Sequence, residues 1–203
     1  MRKIFATLLM LAVMLTSTVT FAAFKDEISE GVNLSDIKRV AIILPMHFKI
    51  EDEEPSLTEF TRSIFDMSKK SSREIIPYNH IADNIIMDTG IDILSLPDED
   101  ARRVFKQHVA KYADSYLLVT TANNIKKTQF FFDLFDSKTG NLLYTFTLQG
   151  GGLKKNAKDY GRACELFYEQ FDLITEQQIK DNMKAEKAAA KEARKQAKKK
   201  NKD

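Results

Sequence analysis

The sequence predicts one mixed-sheet α/β domain, ordered β-α-β-α-α-β-β-β-α and closed by a long C-terminal helix. Three observations predict it. Short apolar runs stopped by turn residues recur through residues 23–179. Segments with apolar residues at helical spacing lie between those runs. Two further runs, FFDLF and NLLYTFTL, flank the turn-forming stretch DSKTG at 136–140. About 155 residues are enough for one domain with a real core, and no internal repeat is present.

The elements follow in order. KRVAIILP (38–45) reads as a buried strand stopped by Pro45. Leu57, Phe60, Ile64, Phe65 and Met67 then recur at helix spacing, with Ser56 placed to cap the helix. EIIPY (74–78) is a short second strand. Ile81, Ile85 and Ile86 mark a short helix that Gly90 closes. The clearest helix follows Pro97, with Asp98, Glu99 and Asp100 at the positive end of its dipole. Its apolar face is Ala101, Val104, Phe105, Val109 and Tyr112. SYLLVTT (115–121) is the third strand.

The hairpin at 131–148 supplies two more strands. Phe131, Leu134, Leu142, Tyr144 and Phe146 suit a pleated surface. Asp136, Thr139 and Gly140 form its structural turn, Asp136 accepting from the loop backbone and Gly140 taking positive φ. Lys126, Lys127 and Thr128 guard a sheet edge. Gly150, Gly151 and Gly152 loosen the chain before a helix from about Lys158.

The two ends are of other kinds. Arg2 and Lys3, the apolar stretch 4–19 and the small residues at 20–22 read as a signal peptide, residues 1–22, cleaved after Ala22 or after Ala23. Without a cysteine at that point, the expectation is a soluble exported protein, periplasmic or extracytoplasmic, that is not lipidated. Residues 180–203 hold ten Lys or Arg against four Asp or Glu, a net charge of +6. Residues 23–179 hold 19 basic and 25 acidic residues, a net charge of −6. The tail is made of helix formers with no apolar stripe to bury, so it reads as a helical or disordered solvated extension. Its candidate contacts to an anionic wall polymer or membrane surface are Lys191, Arg194, Lys195, Lys198, Lys199 and Lys200. It lacks interleaved aromatics, which argues against nucleic acid.

Three of these segments carry a resemblance. KRVAIILP, IDILSLPDEDARRVFKQHVAKYADSYLLVTT and FFDLFDSKTGNLLYTFTL occur in the order seen in TolB amino-terminal-domain-like and CsgG-like bacterial cell-envelope proteins. Such proteins show an RVAVLPF-like first strand, a helix running into ADAVLVGTV, and D-x-x-T-G before the next strand. Here ADSYLLV (113–119) and DSKTG (136–140) stand for the second and third elements. The resemblance covers about residues 36–174. It implies an α/β domain used in the envelope to bind other proteins; relatives include a secretion-channel subunit and lipoproteins that regulate wall synthesis. This chain departs from them in lacking the lipidation cysteine and an amphipathic insertion for a membrane barrel. A soluble adaptor, not a pore, is what carries over.

Catalytic readings fare less well. Asp88-Thr89-Gly90 has the form of an aspartic-protease loop, but that chemistry needs two carboxylates sharing a proton, and the flanking pattern is helical. His47, His80 and His108 are too dispersed for a ligand pair, and the acidic run 51–54 lacks the spacing of a calcium loop. The glycines before Lys154 lack phosphate-loop spacing, and no G-x-S-x-G occurs. Cys164, the single cysteine, reads as a reactive thiol or as a small core residue, and its place on an apolar face favours the core. No catalytic, cofactor or metal residue is assigned. The expected function is a non-catalytic envelope adaptor for another protein, through a sheet edge or adjoining loops. The alternative is tethering by the tail; a hydrolase is the remote third.

Overall fold

In the computed structural model, residues 21–49, 56–123, 127–151 and 157–200 are described. The chain runs β1 (Phe21–Ile28), β2 (Arg39–Ile42), β3 (Met46–Lys49), α1 (Leu57–Met67), β4 (Glu74–Ile76) and α2 (Tyr78–Thr89). It continues through α3 (Asp98–His108), β5 (Ser115–Asn123), β6 (Lys127–Asp136), β7 (Leu142–Gly151) and α4 (Ala157–Lys200). Among the described residues, seven strands make one sheet in the order β1-β7-β6-β5-β2-β4, with β3 also paired to β5. β2 is parallel to β4 and β5, whereas β5, β6, β7 and β1 form an antiparallel meander. This is the mixed α/β sheet with a long terminal helix that the pattern predicts.

Local chemistry sets the helix ends. The Ser56 side chain accepts from the Glu59 amide at 3.3 Å and so satisfies a donor at the start of α1. Pro77 occupies the cap of α2, so β4 stops at Ile76 and Tyr78 opens the helix instead of ending the strand. Gly90 takes φ +76° and its N–H reaches the Ile86 carbonyl at 2.9 Å, closing α2. Asp98, Glu99 and Asp100 open α3 and Lys106 and His108 end it, matching the helix dipole at both ends.

Each face of the sheet has its own core. On one, α1 and α4 cover β2, β5, β6 and β7, burying Phe60, Phe130, Phe132, Tyr144, Phe167 and Phe171 among others. Phe167 stacks on Phe132 with ring centroids 4.8 Å apart. Burying each such side chain contributes about 1.5–3 kcal/mol. Cys164 is fully buried in this layer, and burial pushes its thiol well up, so it stays protonated and inert. On the other face, α2 and α3 cover β2, β4 and the first half of β5, with Ile81, Ile85, Phe105 and Tyr116 inside.

Several expectations are corrected. Two strands go unread in the sequence: β1, which pairs with β7, and β3, four residues that resume pairing just after Pro45. Lys127 and Thr128 lie in β6 between β5 and β7, so they guard no edge; Lys126 lies outside the described residues. The outer strands are β1, the three-residue β4 and, beyond the end of β2, the four-residue β3. Gly150 and Gly151 belong to β7, with Gly150 paired to Thr128 and Phe21. Ile81 and Ile85 are buried but Ile86 is exposed. In the hairpin, Phe130, Phe132 and Leu134 take the buried positions, while strand alternation puts Phe131 on the other face and Leu142 is exposed. Of the expected signal peptide, residues 1–20 lie outside the described residues, and Phe21 and Ala22 open β1.

One buried ion pair joins the layers. Arg73, ahead of β4, donates to Asp172 of α4 at 2.7 Å, to Thr175 Oγ1 at 2.7 Å and to the Leu34 carbonyl at 3.3 Å. Its guanidinium lies over the Phe171 ring, 4.1 Å from the centroid.

Candidate functional site

The ends of the parallel strands form a concavity. After β2 and β3 the chain enters α1 on one face of the sheet; after β4 it enters α2 on the other. Two neighbouring parallel strands whose connections part in this way leave a crevice at their carboxyl ends, where open α/β sheets take ligands. A cleft of about 520 Å³ lies there. Leu44 follows β2, Leu57 and Phe65 come from α1, and Ile93, Leu94 and Leu96 come from the loop between α2 and α3. Arg62, Asn79 and Asp98 add polar groups to this wall.

Tyr78 lines the cleft at the first turn of α2. Its ring stacks on Phe105, and its hydroxyl is buried without a hydrogen-bond partner among the described residues. Burial pushes its pKa up to about 12, with Asp98 and Asp92 adding to the shift and Arg102 opposing it. The phenol is neutral at physiological pH, so the wall offers a neutral surface with one guanidinium and one carboxylate beside it.

Exposed apolar side chains lie at the end of α2 and in the loop after it, and of these Leu94 lines the cleft. Ile86, Met87, Ile91 and Leu94 are large hydrophobic side chains open to solvent, Met87 at 75% and Leu94 at 54%. Four such residues within nine positions have the composition of a surface that another molecule covers. Helical spacing alone groups Ile86 with the core and assigns no place to Met87, Ile91 or Leu94. The available signal is that α2 carries more apolar residues than one face can bury.

A second, shallower hollow of about 700 Å³ lies between Met46 and α3, lined by Glu99, Arg102, Arg103, Lys106 and Gln107. Arg103 pairs with Asp100 at 2.7 Å, and Arg102 donates to the Pro45 carbonyl at 3.1 Å. The Arg102 contact ties α3 to the chain after β2.

Residues singled out in the sequence lie elsewhere. At the hairpin, Asp136 Oδ1 accepts from the Lys138 and Thr139 amides and from the Thr139 hydroxyl, at 2.7–2.9 Å. Gly140 takes φ +72° and donates to the Asp136 carbonyl at 2.9 Å. Burial alone would raise the Asp136 pKa, but the donors of Thr139 and Lys138 hold it below the ordinary carboxylate value. These hydrogen bonds all serve its own turn.

Asp88 is exposed at the end of α2. The Tyr112 hydroxyl donates to it at 2.6 Å and Lys111 approaches to 3.4 Å. The Tyr112 hydrogen bond, with lesser help from Lys111 and His108, lowers its pKa against a small effect of burial. A proton-sharing protease dyad pairs two carboxylates, whereas the Asp88 carboxylate meets a tyrosine hydroxyl and a lysine. His47 meets Thr121 at 3.0 Å, while His80 is on the exposed side of α2 and His108 ends α3. The acidic run 51–54 lies outside the described residues. Among the described residues, no three His, Cys, Asp or Glu converge to hold a metal ion.

The basic segment continues α4 unbroken to Lys200. Lys191 is exposed; for Arg194, Lys195, Lys198, Lys199 and Lys200 the structure describes only their helical backbone. Among the described residues, no helix is long and apolar enough to cross a membrane.

No family model matches the chain, and no curated protein matches it. Among solved structures it is similar to the LpoB C-terminal domain from Escherichia coli, at 11% identity and TM-score 0.43, covering 71% of this chain and 93% of that one. It is similar to lipoprotein GNA1162 from Neisseria meningitidis at 14% identity and TM-score 0.41, covering 66% and 96%. The PelC dodecamer from Paraburkholderia phytofirmans is similar at 10% identity and TM-score 0.40, covering 74% and 98%.

Proposed function

We propose that this chain is an exported, non-catalytic adaptor of the bacterial cell envelope that holds an apolar segment of another protein in the cleft at the carboxyl ends of β2 and β4. The observation that carries the proposal is the exposed Leu94, 54% open to solvent, in a cleft wall shared with Leu44, Leu57 and Leu96. Such a surface is costly to leave in water and gains by being covered. Arg62 and Asp98 at the wall supply one charge of each sign to set the orientation of a bound segment. Export rests on the signal-like residues 1–22, and kinship with TolB amino-terminal-domain-like and CsgG-like proteins rests on three segments that fall on β2, on α3 with β5, and on β6 with β7.

Recognition is placed in the loops adjoining the sheet and not along its edge. β4 has three residues and β3 four, and β1 carries the exposed Lys25–Glu27 ion pair, charges of the kind that guard an edge from pairing. The test is a photo-crosslinking residue placed at position 94 in the full chain, with position 25 as control. Position 94 is expected to capture one stoichiometric envelope protein, and Leu57→Asp in the cleft wall is expected to abolish that capture. Recovery of no stoichiometric partner from envelope extract, or capture unaffected by Leu57→Asp, would sink the reading.

A further inference from the structure

α4 is one helix of 44 residues, and only its first half packs on the domain. Thr175 is its last buried side chain, and every described side chain from Ile179 to Ala193 is exposed. What this exposed half presents follows from helix geometry, at about 100° of rotation per residue. Measured from Lys180, positions 184, 187, 191, 194, 195 and 198 all fall within an arc of about 100°. These seven positions are six lysines and one arginine, spaced 4-3-4-3-1-3. The acidic residues of the stretch, Asp181, Glu186 and Glu192, fall outside the arc, with Asp181 paired to Lys184 at 3.1 Å and Glu176, one turn before the row and on its line, paired to Lys180 at 3.6 Å. So do Lys199 and Lys200, which the composition of the tail alone groups with the others.

The direction of this stripe is the decisive point. The buried positions of α4, Tyr160, Cys164, Phe167, Phe171 and Thr175, centre on the opposite side of the helix, about 180° from the stripe. Leu173 lies on the stripe side and is 61% exposed. The basic row therefore continues the side of α4 that faces away from the sheet. A flat surface meeting it from 180 to 198, over about 27 Å, meets the side of the helix opposite its buried positions.

We propose that the outer side of α4 docks parallel to an anionic lipid bilayer, with the row from Lys180 to position 198 on the head groups and the domain held above on the far side of the helix. Charge concentrated on one side of a helix, as in the seven positions from 180 to 198, matches a plane, whereas a wrapped linear polymer would draw on charge around the whole circumference. Lysine, a mobile point charge, suits diffuse attraction to head groups better than bidentate recognition of a single phosphate. Leu173 adds one apolar side chain on the same line, at the boundary where the helix leaves the domain. This docking is independent of the cleft, which lies between other elements.

The test keeps net charge constant and moves it around the helix. The full chain is compared with a variant carrying Lys187→Ala, Ala189→Lys, Lys191→Ala and Ala193→Lys, which shifts two charges to the opposite side. Binding is measured by co-sedimentation with vesicles of phosphatidylglycerol and phosphatidylcholine, with phosphatidylcholine vesicles alone, and with soluble polyphosphate as competitor. The full chain should bind the phosphatidylglycerol vesicles and be released by salt, and the rearranged variant should bind about 30-fold more weakly, the effect of two basic side chains leaving the surface. Circular dichroism should show equal helix in both. Equal vesicle binding by the two chains would overturn the proposal, as would binding to polyphosphate without binding to vesicles, or equal binding to uncharged vesicles.

Discussion

Replacing Asp172 with alanine would strand a buried guanidinium. The Arg73 side chain is 5% exposed and Asp172 is 23% exposed, so the pair is far drier than a surface ion pair. Burial lowers the Arg73 pKa although Asp172 opposes the shift, and at neutral pH the group remains charged. Loss of the carboxylate then leaves a buried cation with only Thr175, the Leu34 carbonyl and the Phe171 face around it. Removing one partner of a buried pair costs about 3–5 kcal/mol, and the partial exposure of Asp172 sets the expected cost of Asp172→Ala at the low end, about 3 kcal/mol. Arg73→Met keeps most of the volume over Phe171 and leaves Asp172 with the donors of Ser71 and Ser72 and with solvent, for a cost of about 1.5 kcal/mol. The double variant should lie near the Arg73→Met value, a coupling of more than about 1 kcal/mol. Urea unfolding followed by circular dichroism reads all three, and Asp172→Ala should lower Tm by about 6–12 °C. Additive single changes, or a cost below about 1 kcal/mol for Asp172→Ala, would show the pair to be screened like a surface bridge and refute the reasoning.

Two further outcomes are expected. The Asp136 pKa is depressed in the folded chain, so the ionised group contributes stability above the ordinary carboxylate value near 3.9 and loses it as pH falls through the lower folded value. Asp136→Ala should therefore cost about 1 kcal/mol at pH ~6, discounted for partial exposure, and the gap should close towards pH ~2; a pH-independent gap in urea midpoints would exclude this account. Gly90 holds φ +76° and an added Cβ would meet nothing within 4 Å, so Gly90→Ala should cost about 1 kcal/mol from backbone conformation alone, and a neutral result would mean that α2 can end another way.

Local rules made part of this protein legible. Ser56 before an apolar helix, Gly90 after one and three carboxylates after Pro97 each act within one turn of themselves, so their roles need no knowledge of the rest of the chain. The same holds for the segregation of charge into an acidic body and a basic end, and for the α/β class itself. Sequence was silent where an element depends on a distant partner. β1 alternates Phe24, Asp26 and Ile28 with Lys25 and Glu27, a weak pattern that becomes a strand because β7 offers it an edge. β3 has four residues, too few for a period, and exists because β5 extends past the end of β2. Thr128 has the composition of an edge guard, but the strand order puts β6 between two neighbours.

The candidate site lies on the far side of that divide. Leu44, Leu57 and Leu94 come from the turn after β2, the start of α1 and the loop after α2, and each alone reads as an ordinary core or loop residue. Only the parting of α1 and α2 to opposite faces leaves a cleft between them. Likewise Arg73 and Asp172 stand 99 residues apart and carry no mutual signature. Sequence by itself determined periodicity, capping and the charge of each segment, because those follow from neighbours along the chain. Tertiary structure alone decided which apolar residues stay in water, which ions lose theirs, and which way the basic row faces, because each depends on surfaces that meet only when the sheet is built.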